Sequence, residues 1–230
     1  PMGLDLNSSI SQDRKSTKIS ATLKDMSANE FKEFNNEVLG YLRQNNLENM
    51  ISEPSSFRVI FTYMVEAIVN SLLYGLFIGI LLITLIIGLF FRSYLLPALS
   101  IFPNILPIGM GFGLWGLFVG DVGFMVAVGM GSTLGVIVDF TVHFLSKYEL
   151  ARKEFKKSVE ESVIYSFETV GFALIIMTVV LALGFSVLNL VTFIPIQDFA
   201  KFSVICFIGG LIINFLFLPN LLMKFDKRKF

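Results

Sequence analysis

Five apolar runs, each of the length needed to cross a bilayer, follow one another from about residue 66 to the end of the chain. They occupy roughly 66–91, 95–119, 123–146, 168–190 and 198–223. A membrane-spanning helix needs about 20 predominantly apolar residues, because no water is present in the hydrocarbon to take its backbone hydrogen bonds. Five such runs in 230 residues leave little room for any other architecture. The bulk numbers agree: mean hydropathy is +0.74, and 54% of residues are apolar against 16% charged. A soluble domain of this size would expose apolar patches far beyond what monomers tolerate. Net charge is zero, which gives no reason to expect nucleic acid as a partner.

The separators carry the orientation. They are Arg92-Ser93, Gly120-Asp121, a charged stretch 147–165, the segment 192–197 and a basic tail. Arg92 follows the first span. Lys147, Arg152, Lys153, Lys156 and Lys157 follow the third, and Lys224, Lys227, Arg228 and Lys229 follow the fifth. With five crossings these segments share one side, and positive charge marks the cytoplasmic side. The expected arrangement is a multi-pass protein of the cytoplasmic membrane, with its N-terminal region extracytoplasmic and its C-terminus cytoplasmic. Within 147–165, Tyr148, Ala151, Phe155, Val159 and Val163 recur at helical spacing among lysines and glutamates. That pattern predicts an amphipathic connector helix, lying on the cytoplasmic interface or simply solvated.

Residues 1–57 are polar and read as soluble α/β. Thr17 to Lys24 alternates Ile19, Ala21 and Leu23 against Lys18, Ser20 and Thr22, the pattern of a half-buried strand. A helix is expected next. Ser27 and Glu30 form a capping box, Met26 and Phe31 a hydrophobic staple, and Phe31, Val38, Leu39 and Leu42 an apolar stripe. One strand and one helix make no core alone. With the opening Pro1-Met2-Gly3 and no leader, the expectation is the tail of a domain in a longer polypeptide.

Chemistry concentrates in the third span. Steps of four give Gly131, Gly135, Asp139 and His143 on one face, with Ser132 and Ser146 near it. Small residues there let a neighbouring helix approach. A carboxylate at depth costs at least ~2.5 kcal/mol, so it is a functional candidate. Burial favours its neutral, protonated form, and reversible protonation is what a proton carrier needs. His143, the only histidine, sits one turn away and is placed to relay a proton. The rival roles are a helix-gluing carboxyl and an interfacial imidazole. The second span carries Pro103, Asn104 and Pro107, then Gly109, Gly111, Gly113 and Gly116, and is expected to be kinked or unwound beside a cavity. Its G-x-G-x-x-G match lacks a preceding strand and is set aside as a dinucleotide site. In the fourth span Gly171, Thr178 and Ala182 form a small face that is a candidate to lie across from Asp139, with Glu168 at its start. Asn214 is the other deep amide, and lone Cys206 excludes an internal disulfide. Asp139 and His143 lack a third metal ligand. No metal or cofactor is called for, and no nucleophile, base and oxyanion set marks an enzyme.

These strings resemble a known family. Gly135-Val-Ile-Val-Asp139-Phe-Thr-Val-His143-Phe is similar to the G-x-x-x-D helix of the resistance–nodulation–division (RND) superfamily, in its MMPL-type and Patched-like branches. Pro103-Asn104-Ile-Leu-Pro107 resembles the P-N-L-L-P element of the preceding helix. Thr178, the stretch to Gly184-Phe185, and Leu218-Pro219 resemble the helices that follow. The resemblance implies an all-α polytopic membrane bundle of five transmembrane helices, preceded by the end of an extracytoplasmic α/β porter domain. It implies the C-terminal half of a secondary active transporter, with a missing N-terminal half as partner. The implied activity is export of lipids or other hydrophobic compounds driven by the proton-motive force, with Asp139 taking the proton and His143 and Thr178 as relay members. Phe140 stands where many relatives carry a second acid or a Tyr, and the fourth span has no Lys counter-ion. Membrane lipids, protons and a hydrophobic substrate are the implied partners, with a homo-oligomer as a further possibility. Two alternatives share the helix plan: a sterol-sensing-like lipid-binding domain that does not pump, and a SecD/SecF-like protein-translocation helper.

Overall fold

The computed structural model describes residues 9–11, 13, 15–24, 26, 28–47, 50–52, 54–120 and 122–228. The chain divides into two compact units, Pro1–Tyr63 and Met64–Phe230.

In the first unit, α1 (Ala28–Gln44) forms as its apolar stripe requires. Phe31 and Leu42 are buried and Val38 and Leu39 half-buried. The Arg58 guanidinium lies 5.6 Å over the Phe31 ring and donates to the Met26 carbonyl. The buried Asn35 amide donates to the Tyr63 hydroxyl at 3.4 Å. The predicted cap Ser27 lies outside the described residues, as do Asp121 and Lys229. The strand expected over 17–24 does not form. Among the described residues the only pairing is an isolated antiparallel bridge between Ile10 and Thr17. Ile19 stands 80% exposed, so its alternating face meets nothing. A strand is held by its neighbour's ladder, and among the described residues no neighbour pairs with 18–24. Among its described residues the first unit shows helix and irregular chain, and the expected α/β layer is not seen there.

The second unit is all helix among the described residues. The label α2 covers Phe57–Phe91, across the boundary between units; α3 covers Leu95–Phe118 and α4 Phe124–Lys153. The fourth crossing is composite: α5 (Val159–Ser166), a π-helical turn Phe167–Gly171, α6 (Phe172–Val187) and a 3₁₀ turn Leu188–Leu190. The last helix, α7, covers Ile194–Phe225. All five crossings expected from the sequence are present as helices long and apolar enough to span a membrane.

α7 is the centre of the bundle and packs on α3, α4 and α6. Its buried side is Ala200, Phe202, Ser203, Cys206, Phe207, Ile213, Asn214, Leu218 and Leu222. Three clusters make the core: Leu96, Phe144, Leu145, Tyr148 and Leu218 at one end; Trp115, Met130, Ile137, Phe202 and Cys206 toward the other; and Phe140, Val170 and Leu174 between α4 and the fourth crossing. Phe167, in the π turn, sets its ring edge-on to Phe144 and Phe215 at 5.1 and 5.2 Å, a favourable geometry for aromatic pairs. α2 is peripheral, with only 6% of its most apolar stretch buried. A helix so apolar and so little covered is suited to lipid.

The polar stretch 147–165 is not a separate connector helix. α4 runs on to Lys153, and the chain turns through Lys156 at φ +48°. A new helix then starts at a capping box, in which the Glu161 N–H donates to Ser158 Oγ at 3.2 Å and the Ser158 N–H to Glu161 Oε2 at 2.8 Å. That Ser-x-x-Glu signature is strong enough to restart the helix within five residues of the last one, so the amphipathic pattern is shared between two crossings. The second span is not unwound. α3 is helical throughout, with Pro103 and Pro107 inside it rather than in an unwound segment. Both prolines are buried in the bundle, where close packing holds the helix together across the missing donors.

Candidate functional site

α4 presents two opposite faces. One is buried in the bundle: Met130, Ile137, Phe140, Thr141, Phe144 and Tyr148 are at most 1% exposed. The other carries Gly131, Ser132, Gly135, Asp139 and His143, and all five are exposed. The predicted four-residue alignment is thus real, but its face looks out of this chain. Nothing lies within 4 Å of a side chain built on Gly131 or Gly135, so neither glycine packs against a helix of this chain. Asp139 stands near the middle of α4, and His143 follows it by one turn, about 6 Å along the axis.

The expected partner across from Asp139 is not there. Thr178 is buried on α6, and its hydroxyl donates to the Leu174 carbonyl one turn back at 2.8 Å. Gly171 is buried in the π turn and meets Phe167 and Phe215. Glu168 is exposed. The third and fourth spans do pack together, through Phe140 against Val170 and Leu174, one residue round the helix from Asp139.

Inside the bundle sits a polar centre that sequence spacing did not reveal. The Thr141 hydroxyl lies 2.7 Å from Asn104 Oδ1 on α3 and 2.8 Å from Asn214 Oδ1 on α7. All three residues are at most 3% exposed. A hydroxyl has one proton to give, so one of the two amides must turn its NH2 toward the oxygen. Asn214 is fixed, because its Nδ2 already donates to the Gly210 carbonyl at 3.0 Å. Asn104 is therefore the amide that donates to Thr141, while Thr141 donates to Asn214. In the sequence Asn104 stands beside two prolines and Asn214 is a deep amide of the last span. Thr141 went unremarked beside Asp139, and nothing local signals that these three meet.

A second polar centre closes the opposite end of α4. Arg228 makes a two-pronged pair with Glu149 at 3.0 and 2.9 Å and a further bond to Asp226 at 2.8 Å. Tyr148 donates to Asp226 at 2.7 Å. Arg152 Nε stands 3.6 Å from Asp226 Oδ2, with its NH groups on the Lys157 and Arg228 carbonyls. Lys153 bonds Glu149 at 2.9 Å and caps the end of α2 through the Phe91 carbonyl at 2.9 Å. Burial alone pushes the Asp226 carboxyl up, but hydrogen bonds from Arg228 and Tyr148 outweigh it and hold it down to about 2.

Five membrane-length helices, with α7 central among them, define a multi-pass membrane protein. A model of the MMPL family matches residues 6–223, nearly the whole chain, and the protein belongs to that family. MMPL proteins are transporters of the RND type rather than enzymes. No curated protein matches the chain.

Proposed function

We propose that this membrane domain works in proton-driven export of lipids or other hydrophobic compounds across the cytoplasmic membrane, with Asp139 as the proton carrier. The supporting observation is the exposed face of α4. A carboxylate open to hydrocarbon costs about 2.5–3.5 kcal/mol on insertion scales, so in a bilayer this face is covered by protein or lines a wet cavity. Gly131 and Gly135, bare of neighbours, give a covering helix room for close approach. The partner of this reading is the other half of the same transporter, carrying a matching face. Protonation of Asp139 then neutralises a charge at a helix interface, and such an interface has two packings, one for each charge state. His143, on the same face toward the basic end of α4, passes the proton on. Each proton moving down the electrical gradient brings about 2.3 kcal/mol per 100 mV. Thr178 has its hydroxyl engaged within its own helix, and enters the relay only if that bond is exchanged. The same reading puts the basic helix ends, including the Glu149–Arg228 centre, in the cytoplasm and the first unit outside.

The deciding experiment is substrate efflux by the Asp139→Asn transporter in cells with a maintained proton gradient. The reading expects efflux to fall to background with expression unchanged, and wild-type efflux would sink it. His143→Ala is expected to reduce efflux partially and to shift its pH profile. An unshifted profile removes His143 from the relay.

A further inference from the structure

The buried polar centre and the exposed carboxylate stand on opposite sides of one stretch of α4. An α-helix turns by about 100° per residue. The exposed Gly131, Ser132, Gly135, Asp139 and His143 therefore share an arc of about 120°, with Asp139 near its middle. Thr141, two positions on, is about 200° round from Asp139, near the middle of the buried side. Its hydroxyl lies 2.7 Å from Asn104 on α3 and 2.8 Å from Asn214 on α7. Tyr148 follows on nearly the same line, about 10 Å along the axis, and donates to Asp226 at 2.7 Å.

Apolar side chains occupy both sides of α4: Ile137 and Phe140 are buried, while Val136, Val138 and Val142 are half-exposed. Lipid tails are as apolar as the bundle interior, so burial of apolar surface does not choose which side faces in. Packing and interhelical hydrogen bonds make that choice. Packing limits how far the helix can turn, and hydrogen bonds, being directional, set where it rests. A turn of one residue position would carry Thr141 away from both amides and Asp139 out of the exposed arc. We infer that Thr141 is a positioning residue for Asp139, and that its bonds to Asn104 and Asn214 set the rotation of α4 which turns the carboxylate and His143 outward. The functional meaning of this rotation rests on the reading of Asp139 as proton carrier.

Two half-buried valines border the exposed arc on opposite flanks and report its rotation. Val136 packs against the cluster that holds Val170 and Leu174, and Val138 against the cluster that holds Ile108 and Trp115. A nitroxide is attached at Val136→Cys or, separately, at Val138→Cys, in a Cys206→Ala background. With the chain in nanodiscs, the collision rate of each label with oxygen dissolved in the lipid is measured. A turn of α4 raises the rate at one flank and lowers it at the other, whereas general loosening raises both. Thr141→Val is expected to give the opposed change, with the ratio of turned to native helix rising about eightfold, the factor for two interhelical hydrogen bonds of average strength in a membrane. Asn104→Leu removes one of the two bonds and should give the same pattern at about threefold. Thr141→Ser keeps the hydroxyl and should match wild type in both the label rates and efflux, while Thr141→Val loses efflux. Unchanged rates in Thr141→Val and Asn104→Leu overturn the assignment. Equal rises at both flanks overturn it too, as does an opposed change in Thr141→Ser as large as in Thr141→Val. Circular dichroism confirms that each variant is folded. The labels read rotation and not transport, so wild-type efflux in Asp139→Asn would sink the proton carrier and leave the rotation result standing. Unchanged label rates would remove Thr141 and leave the role of Asp139 untouched.

Discussion

Two residues separated by one position on α4, Asp139 and Thr141, have opposite dependences on their surroundings. Thr141 joins two buried amides from α3 and α7, so removing its hydroxyl leaves both Asn104 and Asn214 short of a partner. Thr141→Val is expected to lower stability by about 2 kcal/mol, from the range of about 1–3 for a buried polar group left unpaired. Adding Asn214→Leu removes one stranded amide, so the double variant should lose less than the sum of the singles. Strict additivity in denaturant-induced unfolding would show that the three side chains do not act as a unit. Asp139→Asn should leave stability within about 0.5 kcal/mol of wild type, because Asp139 is exposed on the outer face of α4. Loss of efflux with no loss of stability is the signature of a functional carboxylate. Asp139 was legible in the sequence because an acid in an apolar run is a local anomaly. The Thr141 centre was not, because it is made by residues 37 and 73 positions apart, whose meeting depends on how three helices are registered.

At the scale of helices, glycines divide by what they touch. A side chain built on Gly111 falls 2.6 Å from Cys206 Sγ and 3.3 Å from the Phe202 ring, across the α3–α7 contact. A real Cβ does not tolerate the first distance. Gly111→Ala must push α3 from α7, at a cost of about 1–3 kcal/mol for overpacking, and should lower the melting temperature. Gly135→Ala meets open space in this chain, and should leave the melting temperature unchanged while impairing efflux if a second half packs on that face. Normal efflux with Gly135→Leu would show the face to be uncovered. The five crossings could be read from the sequence because apolar run length is a property of one helix at a time. The strand at 17–24 could not, since alternation shows a strand is allowed and only a partner makes it form. The Ser158–Glu161 capping box was present in the sequence all along. The amphipathic spacing on both sides of it reads as one continuous helix and masks the break.

Across the whole second unit, the centre around Glu149, Asp226 and Arg228 joins the ends of α2, α4 and α7. α4 also carries Asp139, so whatever moves that helix must work against this clamp or carry it along. Most of its side chains are buried: Glu149 is 6% exposed, Arg152 7%, Asp226 fully enclosed and Arg228 24% exposed, each measured on the side chain. Removing one member of such a network leaves a charge without its partner, and Arg228→Met is expected to cost about 3 kcal/mol. The network also sets a pH dependence. The Asp226 carboxyl is held down to about 2 in the folded protein, against about 3.9 when unfolded. The unfolded chain therefore binds the proton first as pH falls. The contribution of Asp226 is present in full above about pH 4 and is lost progressively toward pH 2, so stability should drop through that window. Asp226→Asn has no carboxyl to titrate. It should be less stable than wild type at pH 6 and should close about half of that gap by pH 3, as read from melting temperatures in detergent at the two values. If both proteins lose stability in parallel, the acid sensitivity belongs to other carboxylates and the clamp contributes little. If the gap narrows, the clamp holds the three helix ends together above about pH 4, and any movement of α4 must take place with the tail moving as one body.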